Sequence, residues 1–334
     1  MNCNYCELRC DLHGDHYGIC RMYAEKNGSI VERFPNMWSV GGAGRIESVP
    51  FYHIYPGSRC FVIGTASCNF NCRYCSNAHI AKENPDTAID RLEEIPPREL
   101  VASAKKLGCK SIIFNVNEPT VSLQSLTELS REAKAEGLPM GCLTNGYSTE
   151  ESTELMTSIF SFFNIGLKGL SNDFNRRCLG VPSVEPVLRN IKRFAKTGHV
   201  EIVTPVIEGM NDNEIDEMAS IIHNIDKEIP WHIFRLLPED EMKDVKYPNI
   251  NVINDALEGA RKKLYYLYFH NFVGSDWVNT LCPKCGAVVI ERLSLGCGGD
   301  KLKKVFCADG VCPECGHAIL LVENETKQVE VAIA

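Results

Sequence analysis

Between residues 59 and 270, short apolar runs alternate with amphipathic stretches. The apolar runs are rich in β-branched and aromatic residues and have the length of buried strands: 59–65, 111–116, 140–144, 160–167, 200–206, 231–237 and 264–269. Stretch 122–137 places Leu123, Leu126 and Leu129 at helical spacing and ends on Gly137. Such repeated units predict a parallel sheet with helical crossovers. About six units are fewer than the eight of a closed barrel, so we expect an α/β fold with a partial TIM barrel.

The segments on either side of this core have weaker periodicity. Residues 1–58 are predicted to form an N-terminal cysteine-rich cap that contains a strand-like run, FYHIY, at 51–55. GGAGR at 41–45 lacks the spacing of a phosphate loop and is predicted to be a flexible turn. The predicted organisation is therefore a cap at 1–58, a core at 59–270 and a C-terminal metal-binding lobe at 271–334.

Composition and charge narrow the classes of function. The chain has 334 residues, of which 44% are hydrophobic and 23% charged, as in a globular protein. No apolar run approaches the roughly 18 residues of a membrane span, and the N-terminus lacks the apolar core of a signal peptide. A net charge of −8 opposes binding to a phosphate backbone. We therefore expect a cytoplasmic protein with neither a membrane nor nucleic acid as partner.

Seventeen cysteines are too many for a core of this size, and a reducing compartment argues against disulfides, so metal binding is favoured. Cysteines that stand alone are predicted to be small buried hydrophobes: Cys60, Cys109, Cys142 and Cys178. Cys297 and Cys307 have no assigned role. Eleven others fall into three groups with ligand-like spacing: Cys3, Cys6, Cys10 and Cys20; Cys68, Cys72 and Cys75; Cys282, Cys285, Cys312 and Cys315.

Polar side chains follow four successive predicted strands. The cysteine loop SCNFNCRYC (67–75) follows the first strand, and the others are followed by Asn117 and Glu118, by Thr144 and Asn145, and by Lys168. Because the carboxyl ends of parallel strands meet at one rim, these side chains are expected to lie together. A turn or helix cap would explain any one of them, but four in succession favour a shared site.

The cysteine loop supplies only three ligands. A cluster of four irons normally takes four thiolates, so one iron would have no protein ligand and could bind an outside molecule. The alternatives are a chance spacing and a zinc knuckle. An open iron at a barrel rim predicts a catalytic site.

The spacing of Cys68, Cys72 and Cys75 resembles that of the radical SAM superfamily. The resemblance implies a 4Fe-4S cluster whose unique iron binds the amino and carboxyl groups of S-adenosylmethionine (SAM). Reductive cleavage of SAM then releases a 5′-deoxyadenosyl radical. The positions that match SAM contacts of the superfamily are Tyr74 and Val206 beside the adenine, Asn117 and Glu118 at the methionyl amine, Thr144 and Asn145 as the next polar contact, and Lys168 near the carboxylate.

The chain is most similar to the radical SAM enzyme of the AMMECR1, Memo and radical SAM group. The motifs NEPT, TNGY, PWHIFRLLPE, CPKCG and CPECG occur in the order that the group shows. The chain departs from it at Ala66 and Ser67, where a Gly is usual, at Ser76, where Gln is usual, and at Val116, where Tyr is usual. These differences affect the expected substrate pocket and leave the cluster ligands unchanged.

The two outer cysteine groups differ in regularity. CPKCG at 282–286 and CPECG at 312–316 have the pattern of a zinc ribbon or rubredoxin-like site, with Zn or Fe in a closed four-thiolate shell. The predicted role of this metal site is structural. The N-terminal group is less regular; zinc is favoured there, an auxiliary iron–sulfur cluster comes second and unligated thiols third.

The resemblance implies hydrogen-atom abstraction from an sp3 carbon of a protein or peptide, with ferredoxin or flavodoxin as electron donor. A similar branch methylates a glutamine of methyl-coenzyme M reductase in methanogens and carries the methyl group on cobalamin; this is the sharpest expectation for the reaction. The cobalamin signature Asp-x-His-x-x-Gly is absent, but the branch binds cobalamin without it. The alternatives are an activating enzyme for glycyl radical proteins and a metal-bound scaffold or redox carrier.

The histidines offer little sign of acid–base chemistry. They are dispersed along the sequence, and each is predicted to be a satisfied core or surface residue: His53, His199, His223, His232 and His270. The aromatic run at 265–269 is predicted to be a buried last strand.

Overall fold

The computed structural model describes residues 1–296 and 299–322. Its strands, in chain order, are β1 (Tyr23–Lys26), β2 (Ser29–Glu32), β3 (Met37–Trp38), β4 (Val40–Arg45), β5 (Arg59–Gly64), β6 (Glu93–Glu94), β7 (Ser111–Phe114), β8 (Met140–Thr144), β9 (Phe162–Gly166), β10 (His199–Val206), β11 (Trp231–Arg235), β12 (Leu267–His270), β13 (Thr280–Leu281), β14 (Val288–Ser294) and β15 (Asp300–Val305).

The α-helices lie mainly between the strands of the core. They are α1 (Ala78–Ala81), α2 (Pro85–Ala88), α3 (Pro97–Lys106), α4 (Leu123–Ala135), α5 (Glu150–Ile159), α6 (Asn172–Phe174), α7 (Glu185–Phe194), α8 (Ile215–Ile225) and α9 (Ile250–Arg261). Within the described residues, no helix is long and apolar enough to cross a membrane.

An eight-stranded sheet forms the centre of the molecule, in the order β12-β11-β10-β9-β8-β7-β5-β4. Seven strands run parallel, and β4 pairs antiparallel with β5. Because β12 and β4 are the two edges, the sheet is open. The predicted α/β fold with a partial barrel is confirmed.

The seven predicted core strands are all present, with ends that shift by a few residues. The prediction for GGAGR was wrong, because Gly41 to Arg45 form most of β4, which hydrogen-bonds along β5. Pairing with a neighbouring strand outweighs the low strand propensity of glycine here. FYHIY at 51–55 is not a strand; among its residues only Ile54 forms a bridge, to Val322.

The two faces of the sheet are covered by different parts of the chain. On β7, Ile112 packs into the main core, which the helices cover, while Ile113 packs against Ile46 and Phe51 of the N-terminal segment. This alternation follows from the two-residue period of a strand. The inner face is thereby partly filled by residues 46–55.

The C-terminal lobe contains β13, β14 and β15 in one antiparallel sheet. Its core is continuous with the barrel, since Val289 and Ile290 of β14 belong to the same apolar cluster as Tyr52, Tyr266 and Tyr268. The lobe therefore packs directly on the last strands of the central sheet.

Candidate functional site

The cysteine loop begins where β5 ends, and Asn117 holds its start. The Asn117 amide nitrogen donates to the Ser67 carbonyl at 2.8 Å, to the Ala66 carbonyl at 3.1 Å and to the Thr65 hydroxyl at 2.9 Å. Its oxygen accepts from the Thr65 backbone at 3.0 Å. One side chain after β7 thus fixes three residues that precede Cys68.

The far end of the loop rests on a short π-helix at Asn175–Leu179. The backbone nitrogens of Asn71 and Arg73 donate to the carbonyls of Leu179 and Cys178, at 2.9 and 3.0 Å. π-helices are rare and are frequent at functional sites. The loop is therefore held on one side by the Asn117 side chain and on the other by the backbone of the π-helix, both of which belong to other strand–helix units.

Lys168, just after β9, lies among the three loop thiols. Its Nζ is 3.5 Å from the Cys72 sulfur. Burial lowers the pKa of Lys168, but the negative charge that the three nearby cysteines carry as thiolates outweighs burial and raises it. Burial also raises the pKa of Cys68 and Cys75, so these thiols become thiolates readily only beside a bound metal, whose charge deprotonates its ligands. This donor set suits an iron–sulfur cluster.

Glu118 ties the ends of β7 and β8 together. Its carboxylate accepts from the Thr144 hydroxyl at 2.9 Å, from the Asn145 backbone at 2.7 Å and from the Thr120 backbone at 3.2 Å. Burial raises the pKa of Glu118, and these hydrogen bonds oppose that effect. The structure thus brings together three predicted site residues, Glu118, Thr144 and Asn145, at one rim.

Asn69, which the sequence analysis did not single out, links this rim to two cysteine groups. Its oxygen accepts from the Asn145 amide at 2.6 Å, and it follows Cys68 directly. Burial raises the pKa of the Cys6 thiol to about 12, and the neighbouring Asn69 side chain opposes that rise. Only its position inside the loop could have indicated this residue from the sequence.

Tyr74 lies within the cysteine loop and Val206 is the last residue of β10, and neither side chain has a polar link to the other predicted residues. Val206 is fully buried at the end of β10, in the main core. The Tyr74 hydroxyl is buried and has no hydrogen-bond partner among the described residues. An unpaired buried hydroxyl is unfavourable unless a ligand completes its hydrogen bonds.

Val116 has an unusual backbone conformation next to this rim. Its φ is +83°, in the left-handed region that a β-branched residue rarely adopts. Its carbonyl accepts from the Asn77 side chain at 2.9 Å, just beyond the cysteine loop. Backbone strain of this kind persists where surrounding contacts enforce it, and it is frequent at functional sites.

Four cysteines of the C-terminal lobe converge on one point. The sulfurs of Cys282 and Cys315 are 3.6 Å apart, those of Cys285 and Cys312 are 3.7 Å apart, and all four lie within 4.8 Å of one another. A tetrahedral metal with metal–sulfur bonds of about 2.3 Å would place its sulfurs about 3.8 Å apart. The four side chains could therefore bind a single metal ion.

Matching turns build this site. The Gly286 nitrogen donates to the Cys282 carbonyl at 2.9 Å, and the Gly316 nitrogen donates to the Cys312 carbonyl at 3.0 Å. Both glycines have φ near +70°, which glycine adopts without strain. Cys307 is buried in the core of the lobe, whereas Cys297 lies outside the described residues.

The N-terminal cysteines are close to one another but more widely spaced. The Cys3 nitrogen donates to the Cys10 carbonyl at 2.7 Å. The pKa of Cys20 is raised, first by burial and then by the other three thiols of the group. Within the part of the chain that the structure describes, the C-terminal four are the one set of three or more ligands gathered at the spacing of a single ion.

Four of the histidines that are dispersed in sequence lie together in the structure. Glu201 on β10 is fully buried; its carboxylate is 2.5 Å from Nε2 of His232 and 3.1 Å from Nε2 of His199. His232 in turn lies 2.8 Å from His270. All of these histidines have partners, as predicted, and His53 joins them through Tyr268 at 2.7 Å. Sequence spacing gave no sign that they share one buried network.

The comparisons with known proteins agree with this arrangement. A family model described as the radical SAM superfamily matches residues 62–222. An uncharacterized protein of Methanocaldococcus jannaschii is 29% identical over 328 residues, which are 96% of each chain. GTP 3′,8-cyclase of Petrotoga mobilis is 27% identical over 53% of this chain and 55% of its own. The isethionate sulfite-lyase activating enzyme of Oleidesulfovibrio alaskensis is 25% identical over 52% of this chain and 55% of its own. The chain thus spans about half the length of these last two relatives.

Proposed function

Because the chain belongs to the radical SAM superfamily, we propose that it removes a hydrogen atom from an sp3 carbon of a protein or peptide. The observation that carries this proposal is the position of Lys168 beside the three loop cysteines, of which Cys72 is buried, at the rim of an open barrel. When bound by Cys68, Cys72 and Cys75, a 4Fe-4S cluster would supply one electron to SAM, whose S–C5′ bond breaks to give methionine and the 5′-deoxyadenosyl radical that takes the hydrogen atom.

The side chains around the cysteines are assigned roles in holding SAM. Lys168 is a buried cation and suits the methionyl carboxylate. Tyr74 has an unpaired buried hydroxyl that suits the adenosine end, and Val206 offers an apolar wall there. Asn117 holds the start of the cysteine loop, and Glu118 holds the turn after β8. Together with Thr144 and Asn145, these residues are proposed to shape the rim beside the methionyl amine.

A protein or peptide substrate is favoured over a small molecule. One relative that matches half of this chain is named for the activation of another enzyme, the isethionate sulfite-lyase. The electron donor proposed is a one-electron carrier of the ferredoxin or flavodoxin type.

The most specific form of the proposal is cobalamin-dependent C-methylation of a glutamine in methyl-coenzyme M reductase. The two cavities described, of about 190 and 310 Å³, are each too small to enclose a corrinoid, so no residue is assigned to that cofactor. The second candidate, an activating enzyme for a glycyl radical protein, is favoured by the relative of that kind. Only a methylase would retain a stoichiometric corrinoid in ultraviolet-visible spectra after incubation with hydroxocobalamin.

We propose zinc or iron for the C-terminal site, because its four sulfurs have the spacing of one tetrahedral ion. The N-terminal group is proposed as a second metal site. Zinc is proposed there first and an auxiliary iron–sulfur cluster second. Metal analysis that finds iron and no zinc at Cys3, Cys6, Cys10 and Cys20 would reverse that preference.

A pair of cysteine variants tests the proposed chemistry. Anaerobic protein is incubated with dithionite and SAM, and 5′-deoxyadenosine is measured by chromatography. Cys72→Ala is expected to abolish the product. Cys178→Ala removes a buried thiol beside the same loop and is expected to keep it, because the proposal leaves the fourth iron without a protein ligand.

Two outcomes would contradict the proposal. If wild-type protein makes no more 5′-deoxyadenosine than Cys72→Ala, the metal-bound scaffold or redox carrier is the better explanation. If Cys178→Ala lowers the iron content as much as Cys72→Ala does, a fourth cysteine closes the cluster. Mass spectrometry of a candidate substrate protein then separates the reactions by the gain of a methyl group, the loss of hydrogen or no change.

A further inference from the structure

A cavity of about 190 Å³ lies beside the last two strands of the barrel, away from the cysteine loop. Phe234 of β11 and His270 of β12 form one wall, and the turn after β4 contributes Glu47. Asp300, the first residue of β15, lines it from the C-terminal lobe. The cavity thus lies where the sheet, the N-terminal segment and the lobe meet, near the carboxyl ends of the strands.

Two buried carboxyl groups line this cavity, and each has one oxygen without a hydrogen-bond donor. Glu47 is 2% exposed and Asp300 is 3% exposed. Oε1 of Glu47 accepts from the Gly57 nitrogen at 2.7 Å, but Oε2 has no partner among the described residues. Leaving such an oxygen unpaired inside a protein is unfavourable. A ligand with N–H donors would remove that penalty.

The second oxygen of Asp300 is fully used, which fixes the orientation of the carboxylate. Oδ2 accepts from the Tyr52 hydroxyl at 2.5 Å and lies 2.7 Å from Nδ1 of His270, whereas Oδ1 has no hydrogen-bond partner within the described part of the chain. Arg292 is the cation of this region, and its terminal nitrogens donate elsewhere, to Val278, Thr280 and Tyr52. No hydrogen bond from Arg292 reaches either unpaired carboxyl oxygen.

Two aromatic rings also line the cavity. The rings of Phe234 and His270 are stacked, with centroids 4.3 Å apart and planes inclined by 6°. Planar or alkyl cations pack well against aromatic faces, and their N–H groups pair with carboxylates. The volume holds the end of one side chain and excludes a whole peptide.

We infer that this cavity binds the ammonium or guanidinium group of a small cation or of a substrate side chain, through Glu47 and Asp300. That the cation is part of a substrate side chain rests on the proposed function, in which the substrate is a protein or peptide. The cavity would then recognise a cationic residue of the substrate.

The binding test uses simple probes and the metal-loaded protein. Methylguanidine and propylamine are titrated by calorimetry and by ligand-observed NMR, with neutral N-methylurea as the matched control. Saturable binding of at least one cation, at least tenfold tighter than N-methylurea, is expected. If neither cation binds more tightly than N-methylurea, the inference is wrong.

Glu47→Gln is expected to weaken cation binding at least tenfold, because it removes the charge while keeping the oxygen that pairs with Gly57. The exposed, distant Glu136→Gln is the control and is expected to bind as wild type does. Should Glu47→Gln fail to fold, Phe234→Leu changes the half-buried wall instead and is expected to weaken methylguanidine binding. Unchanged binding in the folded variant would contradict the inference.

A capped peptide, acetyl-Gly-Arg-Gly-amide, distinguishes the two sources of the cation. Binding at least as tight as that of methylguanidine supports a substrate side chain. If methylguanidine binds but the peptide does not, the cation is not a substrate side chain, and a free small cation is the ligand. These measurements need no SAM cleavage, so a failed 5′-deoxyadenosine assay and a failed cation titration are separate results.

Discussion

At the residue scale, the clearest of the proposed roles is that of Lys168, a buried cation whose Nζ lies 3.5 Å from the Cys72 sulfur. Burial of a charged group is tolerated only where opposite charge compensates it. The three thiols supply part of that compensation, and a bound carboxylate would supply more. Lys168 directly follows β9, so its place at the end of a strand can be read from the nearby sequence. The cysteines beside it come from a loop about 100 residues earlier.

Lys168→Met is expected to weaken SAM binding by about ten- to a hundredfold, since a hydrogen bond to a charged group contributes about 1.5–3 kcal/mol. Iron content should stay close to that of wild type, because the cysteine ligands are unchanged. Equilibrium binding of SAM to anaerobically reconstituted protein measures the effect, with exposed Lys196→Met as the control. An unchanged dissociation constant would remove Lys168 from the proposed SAM site.

At the scale of elements, the site depends on contacts between the ends of neighbouring strands. Asn117, after β7, anchors the loop that follows β5, and Glu118 anchors the turn after β8. The π-helix at Asn175–Leu179 supports the other side of the loop through two backbone hydrogen bonds. The cysteine loop therefore owes its shape to three neighbouring strand–helix units.

Asn117→Ala is expected to lower the free energy of unfolding by about 1–3 kcal/mol, because it leaves the buried carbonyls at 66 and 67 without a donor. It should also reduce iron retention on gel filtration, since the loop before Cys68 loses its anchor. Urea unfolding and iron analysis measure both effects, and the exposed Asn213→Ala is the matched control. Equal iron retention in the two variants would show that the anchor is dispensable.

At the scale of the whole molecule, a buried polar network joins the barrel to the C-terminal lobe. His270 of β12 lies 2.7 Å from Asp300 of β15, and His53 lies 2.5 Å from the Leu320 carbonyl. The lobe and the barrel thus share charged and titratable groups as well as an apolar core. Their association should therefore respond to pH.

Lowering the pH is expected to destabilise the protein already at pH values above those at which its carboxylates become protonated. Burial lowers the pKa of His53 to about 3 and that of His270 to about 4, against about 6.5 in the unfolded chain. The unfolded state therefore binds more protons than the folded state between about pH 6.5 and about pH 4. Stability is present above that window and is lost as the pH falls through it, by up to about 1.4 kcal/mol per pH unit for each histidine.

Urea unfolding of metal-loaded protein between pH 7 and pH 5.5 measures this linkage. His270→Asn should show a shallower dependence on pH than wild type, by about one proton. The control is His223→Asn, at a partly exposed histidine on α8 outside the network. Equal slopes for the two variants would show that His270 does not stay neutral in the folded state.

Much of the fold and part of the site were predictable from local pattern. Alternating apolar runs and helical stretches placed all seven parallel strands, and the spacing of CPKCG and CPECG predicted that four cysteines come together, as their sulfurs do in the structure. The carboxyl ends of neighbouring parallel strands meet at one rim. Glu118, Thr144 and Asn145 could therefore be grouped from the sequence alone. The glycine-rich strand β4 could not be predicted from local pattern, because its strand conformation comes from pairing with β5.

The sequence by itself determined what depends on short spacing: the strand and helix periods, the three-cysteine loop and the paired C-terminal knuckles. Only the tertiary structure decided what depends on contacts between distant segments. It brought Glu201 to His232, His270 to Asp300, and the N-terminal thiols to the side of the loop. Such contacts are set by the packing of whole elements, so residues far apart in the sequence reveal them only when the chain is folded.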